Sequence, residues 1–89
     1  MNKISITKLS KEEIKERKID QWPIWEKEIS RFDWEYTTDE ECLIIEGEVA
    51  VEMPEGIFNI KAGDFVTFKS GLKCIWNVKS KIRKYYNFK

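Results

Sequence analysis

The chain has no histidine at all among its 89 residues. That removes the commonest metal ligand and the one side chain that titrates near neutrality without help, so Ser-His-Asp triads, Cys-His pairs and His-based metal sites are excluded. Net charge is also missing: sixteen Lys and Arg balance sixteen Asp and Glu, leaving no overall basic field to draw in nucleic acid or an anionic membrane. No apolar run approaches the roughly 20 residues of a membrane-spanning helix, and the first ten residues lack the apolar stretch and small-residue cleavage site of a signal peptide. These absences predict a cytoplasmic protein with no nucleic acid and no membrane among its partners. Cysteine is scarce, with only Cys42 and Cys74, and a cytoplasmic setting predicts that both stay reduced. Only two prolines and four glycines interrupt the chain.

What is present is apolar and aromatic. A composition 42% hydrophobic and 13% aromatic is too rich in core-forming residues for a disordered chain, and the length allows one domain. Ile4-Ser5-Ile6 alternates like a short strand, and Ser10 to Glu13 has capping-box spacing, which predicts a short helix over about Lys11 to Lys18. Beyond Pro23, short apolar runs are separated by turn residues at Thr37-Thr38-Asp39, Glu46-Gly47, Pro54-Glu55-Gly56, Lys61 to Asp64 and Lys69-Ser70-Gly71. That punctuation predicts an all-β sandwich or barrel of roughly eight or nine strands. Residues 1–21 are read as a strand and helix packed on a barrel of residues 22–89, within a single domain. Charge is segregated along the chain: residues 33–64 carry ten acids against Lys61, and residues 65–89 carry seven Lys or Arg and no acid. Pairing between neighbouring acidic and basic strands accounts for this better than a basic binding face.

The segment from Trp34 to Gly71 resembles a cupin. Glu40 stands six residues before Gly47, as in that superfamily's first motif, and Gly63 to Cys74 keeps the spacing of the second. In this alignment Trp34 and Tyr36 occupy the two positions of the first motif that usually hold His, Cys74 occupies the later His position, and Glu40 alone is unchanged. Trp22 to Glu28, Phe32 to Tyr36 and Arg83 to Asn87 further resemble small stand-alone cupins of the (S)-ureidoglycine aminohydrolase type. The resemblance implies an RmlC-like jelly-roll β-barrel with a short N-terminal helix, and a homodimer in which the strand of Ile4 and Ile6 reaches across. With one carboxylate and one thiolate at the inherited positions, it also implies no metal and no other cofactor.

Strand alternation places Trp34 with Tyr36 on one face, Glu40 with Cys42 and Ile44, and Cys74 with Trp76. If that face is the interior, these residues form either a small-molecule cavity or a solid filling of side chains. In the first case Trp34, Tyr36, Glu40, Cys42, Cys74 and Trp76 bind the ligand. Any catalysis then falls to Glu40, Tyr36 and Cys74, with Glu40 as a carboxyl whose pKa an apolar interior would raise. The expected function is metal-independent binding of a small anionic or nitrogen-rich metabolite. The alternatives are a non-catalytic ligand sensor or dimeric scaffold, or a residual metal-dependent enzyme.

Overall fold

Two long strands form the spine of the molecule, and the short strands hang on either side of them. The computed structural model describes residues 3–88; Met1, Asn2 and Lys89, the outermost residues of the two segments distinguished in the sequence, lie outside the described residues. In chain order the elements are β1 (Ile4–Lys8), α1 (Lys11–Glu16), a 3-10 turn (Ile19–Gln21), β2 (Ile24–Lys27), β3 (Ser30–Glu35), β4 (Glu40–Met53), β5 (Gly56–Lys61), β6 (Asp64–Phe68) and β7 (Lys73–Phe88). All pairings are antiparallel, and the main path through the sheet is β1-β6-β4-β7-β2, with β5 added beside β4 and β3 beside β7. The sheet curls around an apolar interior in the manner of a cupin but does not close, so the predicted barrel is an open one.

Among the described residues, seven strands replace the eight or nine expected because Glu46-Gly47, read as a turn, is a bulge inside β4. The β4–β7 register shifts between Ile44 and Val49, and Gly47 sits there at φ 91°. Before the bulge the buried residues include the even-numbered Glu40, Cys42 and Ile44; after it they include the odd-numbered Val49, Val51 and Met53. A bulge bends a strand and inserts an odd residue, so both halves of β4 present a face to the same interior. Along β7, Cys74, Trp76, Val78, Ile82 and Lys84 are buried in turn, with no change of parity.

The main core gathers Ile4, Tyr36, Ile44, Val51, Val66, Phe68, Trp76 and Ile82 with their neighbours on the inner face. On the outer face Ile19 packs with Leu43 and Phe65, joined by Leu9, Ile14 and Trp22, so the N-terminal segment covers apolar side chains that the curled sheet turns outward. Helix α1 ends at Glu16, about half a turn before the expected Lys18, and carries the expected capping box between Ser10 and Glu13. Strand β1 pairs residue for residue with β6 of its own chain, from Ile4 against Phe68 to Lys8 against Asp64.

Two loops at one end of the sheet are tied together. Tyr36 donates its N–H to the Leu72 carbonyl (2.9 Å), Gly71 donates to the Tyr36 carbonyl (2.6 Å), and the Ser70 amide donates to Asp39 Oδ1 (2.8 Å). These bonds fix the β3–β4 connection on the β6–β7 loop and so set where Tyr36 and Glu40 begin. At the β5–β6 turn, Asp64 accepts from the Lys61 amide (2.9 Å) and lies 2.6 Å from the Lys8 ammonium.

A side chain at Gly47 would require a left-handed backbone and would overlap the Lys81 carbonyl oxygen. Gly47→Ala is therefore expected to cost about 2–5 kcal/mol, and Gly56→Ala, at φ 146° but in open space, about 1–2 kcal/mol; urea unfolding of the two variants measures both. Burial acts to raise the Asp64 carboxyl pKa, but the hydrogen bonds from Lys8 and Lys61 outweigh it and hold the group below its ordinary value. A depressed folded pKa means that the stabilisation is present above the unfolded carboxylate value, about 3.9, and is lost as pH falls through the folded one. Unfolding midpoints followed below pH 5 should therefore fall less steeply in Asp64→Asn than in the parent chain.

Candidate functional site

Register determines which side chains converge at the open end of the interior. Opposite residues in an antiparallel pair share a face, so Trp25 faces Lys84 across β2–β7, and Phe32 faces Trp76 across β3–β7. On β4, Glu40 and Ile44 flank Cys42 on one face, and Ile44 is the residue opposite Lys84. The long Lys84 side chain leans along the strands toward Glu40, and its Nζ donates to Glu40 Oε2 at 2.7 Å. This ion pair is almost wholly out of solvent, with side-chain exposures of 7% for Lys84 and 3% for Glu40. The ammonium also lies over the faces of Trp76 (4.7 Å) and Trp25 (5.1 Å), where ring quadrupoles attract a cation.

Around this pair the structure leaves a cavity of about 130 Å³, lined by Trp25, Phe32, Trp34, Tyr36, Glu40, Trp76, Lys84, Tyr86 and Phe88. Trp34 and Phe88 are 44% and 53% exposed and form its rim, whereas Tyr36 and Trp76 are 2% exposed and form its depth. Tyr36 stacks on Phe68 at 4.6 Å and 6°, and its hydroxyl accepts from Trp76 Nε1 at 3.1 Å. Burial, reinforced by the Glu40 charge, drives the Tyr36 phenol pKa far above its ordinary value, so the hydroxyl stays protonated and retains a hydrogen to donate.

Of the six residues singled out in the sequence, the structure brings Trp34, Tyr36, Glu40 and Trp76 together at the cavity; the two cysteines do not line it. Cys42 is fully buried, and burial pushes its thiol up to about 12. Cys74 borders a separate open groove with Asp33, Trp34, Glu52, Met53 and Lys73, its thiol likewise raised by burial to about 11. Both are free thiols. The Glu40 carboxylate does not project into purely apolar surroundings, as expected from its parity, but meets a lysine.

Lys84 is the residue that sequence reasoning missed, along with the walls Trp25, Phe32, Tyr86 and Phe88. The signal was available in the even-numbered run Cys74, Trp76, Val78, Ile82, Lys84: a lysine continuing a buried parity is the anomaly to look for. The positions that would bear a metal in the resembled pattern hold Trp34, Tyr36, Glu40 and Cys74, of which Cys74 borders the other groove and Glu40 already holds an ammonium. These residues do not fit a metal ion, and no group of three or more His, Cys, Asp or Glu able to hold one occurs among the described residues.

The family model described as the EutQ-like cupin domain matches residues 14–86. A solved DUF861 family protein from Thermotoga maritima is 47% identical over 97% of this chain and 99% of its own, with a TM-score of 0.93. The EutQ protein of Clostridium difficile is 22% identical and superposes with a TM-score of 0.67 over 73% of this chain and 52% of its own. A DUF861 protein of unknown function from Pseudomonas syringae is 24% identical, with a TM-score of 0.67 over 74% of this chain and 29% of its own; these two likenesses concern the fold. No curated protein matches the chain.

Removing one member of a buried ion pair strands the other charge. Lys84→Met is expected to destabilise the protein by about 3–5 kcal/mol, whereas the double change Glu40→Gln with Lys84→Met, which removes both charges, should recover most of that loss. A double-mutant cycle by urea unfolding gives the coupling directly.

Proposed function

The chain belongs to the EutQ-like cupin domain family, and from that premise we propose that its aromatic cavity binds a small, uncharged metabolite carrying a carbonyl and an N–H, without a metal. The observation that carries this reading is the Glu40–Lys84 ion pair, 2.7 Å long, on the wall of an accessible cavity. A buried ion pair adds little to stability relative to well-packed apolar residues, and it costs desolvation of two charges, so its presence at a cavity favours a ligand-directed role. The pair offers a cationic donor beside an anionic acceptor. An amide or ureido group presents the complement, its oxygen to Lys84 and its N–H to Glu40, while its plane stacks between the aromatic walls. The pair is neutral as a unit, so an uncharged ligand enters without leaving an unbalanced charge in a weakly polar site.

The similarity of Trp22 to Glu28 and Arg83 to Asn87 to (S)-ureidoglycine aminohydrolase-type cupins points to the same nitrogen-rich class. In this reading Glu40 accepts and returns protons, Lys84 polarises the carbonyl, Tyr36 orients the ligand from below, and Trp34, Trp76 and Trp25 enclose it. Cys42 and Cys74 have no part in it.

Thermal-shift titration with small amides and substituted ureas tests the proposal, since a ligand at 100 times its Kd should stabilise the fold by about 2.7 kcal/mol. Glu40→Gln should abolish that shift, and Trp34→Ala, at the exposed rim, should weaken it with a stability change below about 1 kcal/mol. Dialysis against EDTA should leave the shift intact. A family of amides and ureas that all fail to stabilise the protein, an unchanged shift in Glu40→Gln, or one equivalent of bound metal whose removal abolishes binding would each overturn the reading.

A further inference from the structure

We propose that Lys84 is a nucleophile that forms an imine with a small uncharged aldehyde in the cavity, a reaction that rests on the reading of the cavity as a ligand site and goes beyond reversible binding. Lys84 is a buried lysine on the lining of this cavity, and its Nζ lies 2.7 Å from a carboxylate able to take its proton. A free amine is needed for attack. The short charge-assisted hydrogen bond is the path along which the proton moves from Nζ to Oε2.

The steps balance without a co-reactant. Glu40 takes a proton from the Lys84 ammonium, and the amine lone pair forms an N–C bond to the aldehyde carbon as the C–O π pair moves to oxygen. A proton passes from nitrogen to that oxygen, giving a neutral carbinolamine. The Glu40 carboxylic acid then protonates the hydroxyl, which leaves as water while the nitrogen lone pair forms the C=N bond. The products are a protonated imine, the Glu40 carboxylate and one water. The positive charge ends where it began, between Glu40 and the faces of Trp25 and Trp76, so a cavity that holds the ammonium holds the iminium equally well. An aldehyde bearing its own carboxylate would add an unpaired charge to this site, which is why the substrate class is uncharged; the 130 Å³ volume makes it small.

Propanal with sodium cyanoborohydride at neutral pH is the probe, read by intact mass and peptide mapping of the full chain, with propionamide as its unreactive counterpart followed by tryptophan fluorescence. The expected result is one N-propyl group per chain at Lys84, acquired at least about tenfold faster than at any other lysine, protection of Lys84 by propionamide, and slower labelling in Glu40→Gln. Lys84→Arg should lose the fast phase while keeping the charge. Labelling of exposed lysines at the same rate as Lys84, or ahead of it, overturns the covalent proposal; if propionamide still perturbs the tryptophans, the cavity reading stands without it, and if it does not, both fall. Mapping in the unaltered chain makes this outcome independent of whether any variant folds.

Discussion

The pair formed by Glu40 and Lys84 is the constraint on which the rest of the site depends. Glu40 opens β4 and Lys84 lies near the end of β7, so the 2.7 Å contact ties together the two long strands at the open end of the curled sheet. A charged pair in that position demands polar or polarisable neighbours, and the neighbours supplied are ring faces: Trp25 from β2 and Trp76 from β7. Trp76 is in turn positioned by its bond to Tyr36 and its contact with Phe68 at 5.9 Å. The chain of contacts therefore runs from an ion pair to an aromatic wall to the apolar core, and the cavity is what remains inside it.

That arrangement requires β4 to bend without breaking. A regular strand of fourteen residues would turn its second half outward relative to a curved partner, and the bulge at Gly47 corrects this by changing the parity of the inward face. Closeness to the Lys81 carbonyl and a φ of 91° leave glycine as the residue for that position. The consequence reaches the site, because Glu40 and Cys42 before the bulge and Val49 and Val51 after it all face one interior, and β7 can pair with β4 along nearly its whole length.

Much of this was legible in the sequence, and the failures have physical causes. Parity alone was sufficient to group Tyr36, Glu40, Cys42 and Trp76, because strands with one buried face advertise it at every second residue. The segregation of acids into residues 33–64 and bases into 65–89 is partly resolved by ion pairs between the two segments: Glu40 with Lys84, Asp39 with Lys69 and Glu46 with Arg83. Lys84 was overlooked because a lysine in a basic run reads as solvated, although it continues the buried even parity of Cys74, Trp76, Val78 and Ile82. Cys74 shares the inward parity of Trp76, yet borders a different groove, because Trp34 opposite it lines both spaces and stands between them. Alternation reports the side of a sheet that a residue occupies, not which space its side chain reaches. The bulge was misread as a turn because Glu-Gly serves either purpose, and only the long pairing with β7 selects between them.

Placing an ammonium where the resembled fold gathers metal ligands changes the chemistry available. A lysine ammonium contributes a single positive charge and three N–H donors, with no vacant coordination position and no change of oxidation state, so redox and Lewis-acid steps that depend on open coordination find no purchase in these side chains. What the lysine adds is something a metal ion lacks: an amino nitrogen, which in the proposed imine chemistry is the nucleophile. Under that proposal the site uses proton transfer and nucleophilic attack where a metal centre would activate through coordination. The aromatic walls suit that exchange, since they attract a monocation on the side chain or on an adduct while offering no strong donor to compete for the Glu40 carboxylate. A buried lysine–glutamate pair, rather than an unfilled gap in a ligand set, is thus the feature by which this arrangement of the fold is to be recognised.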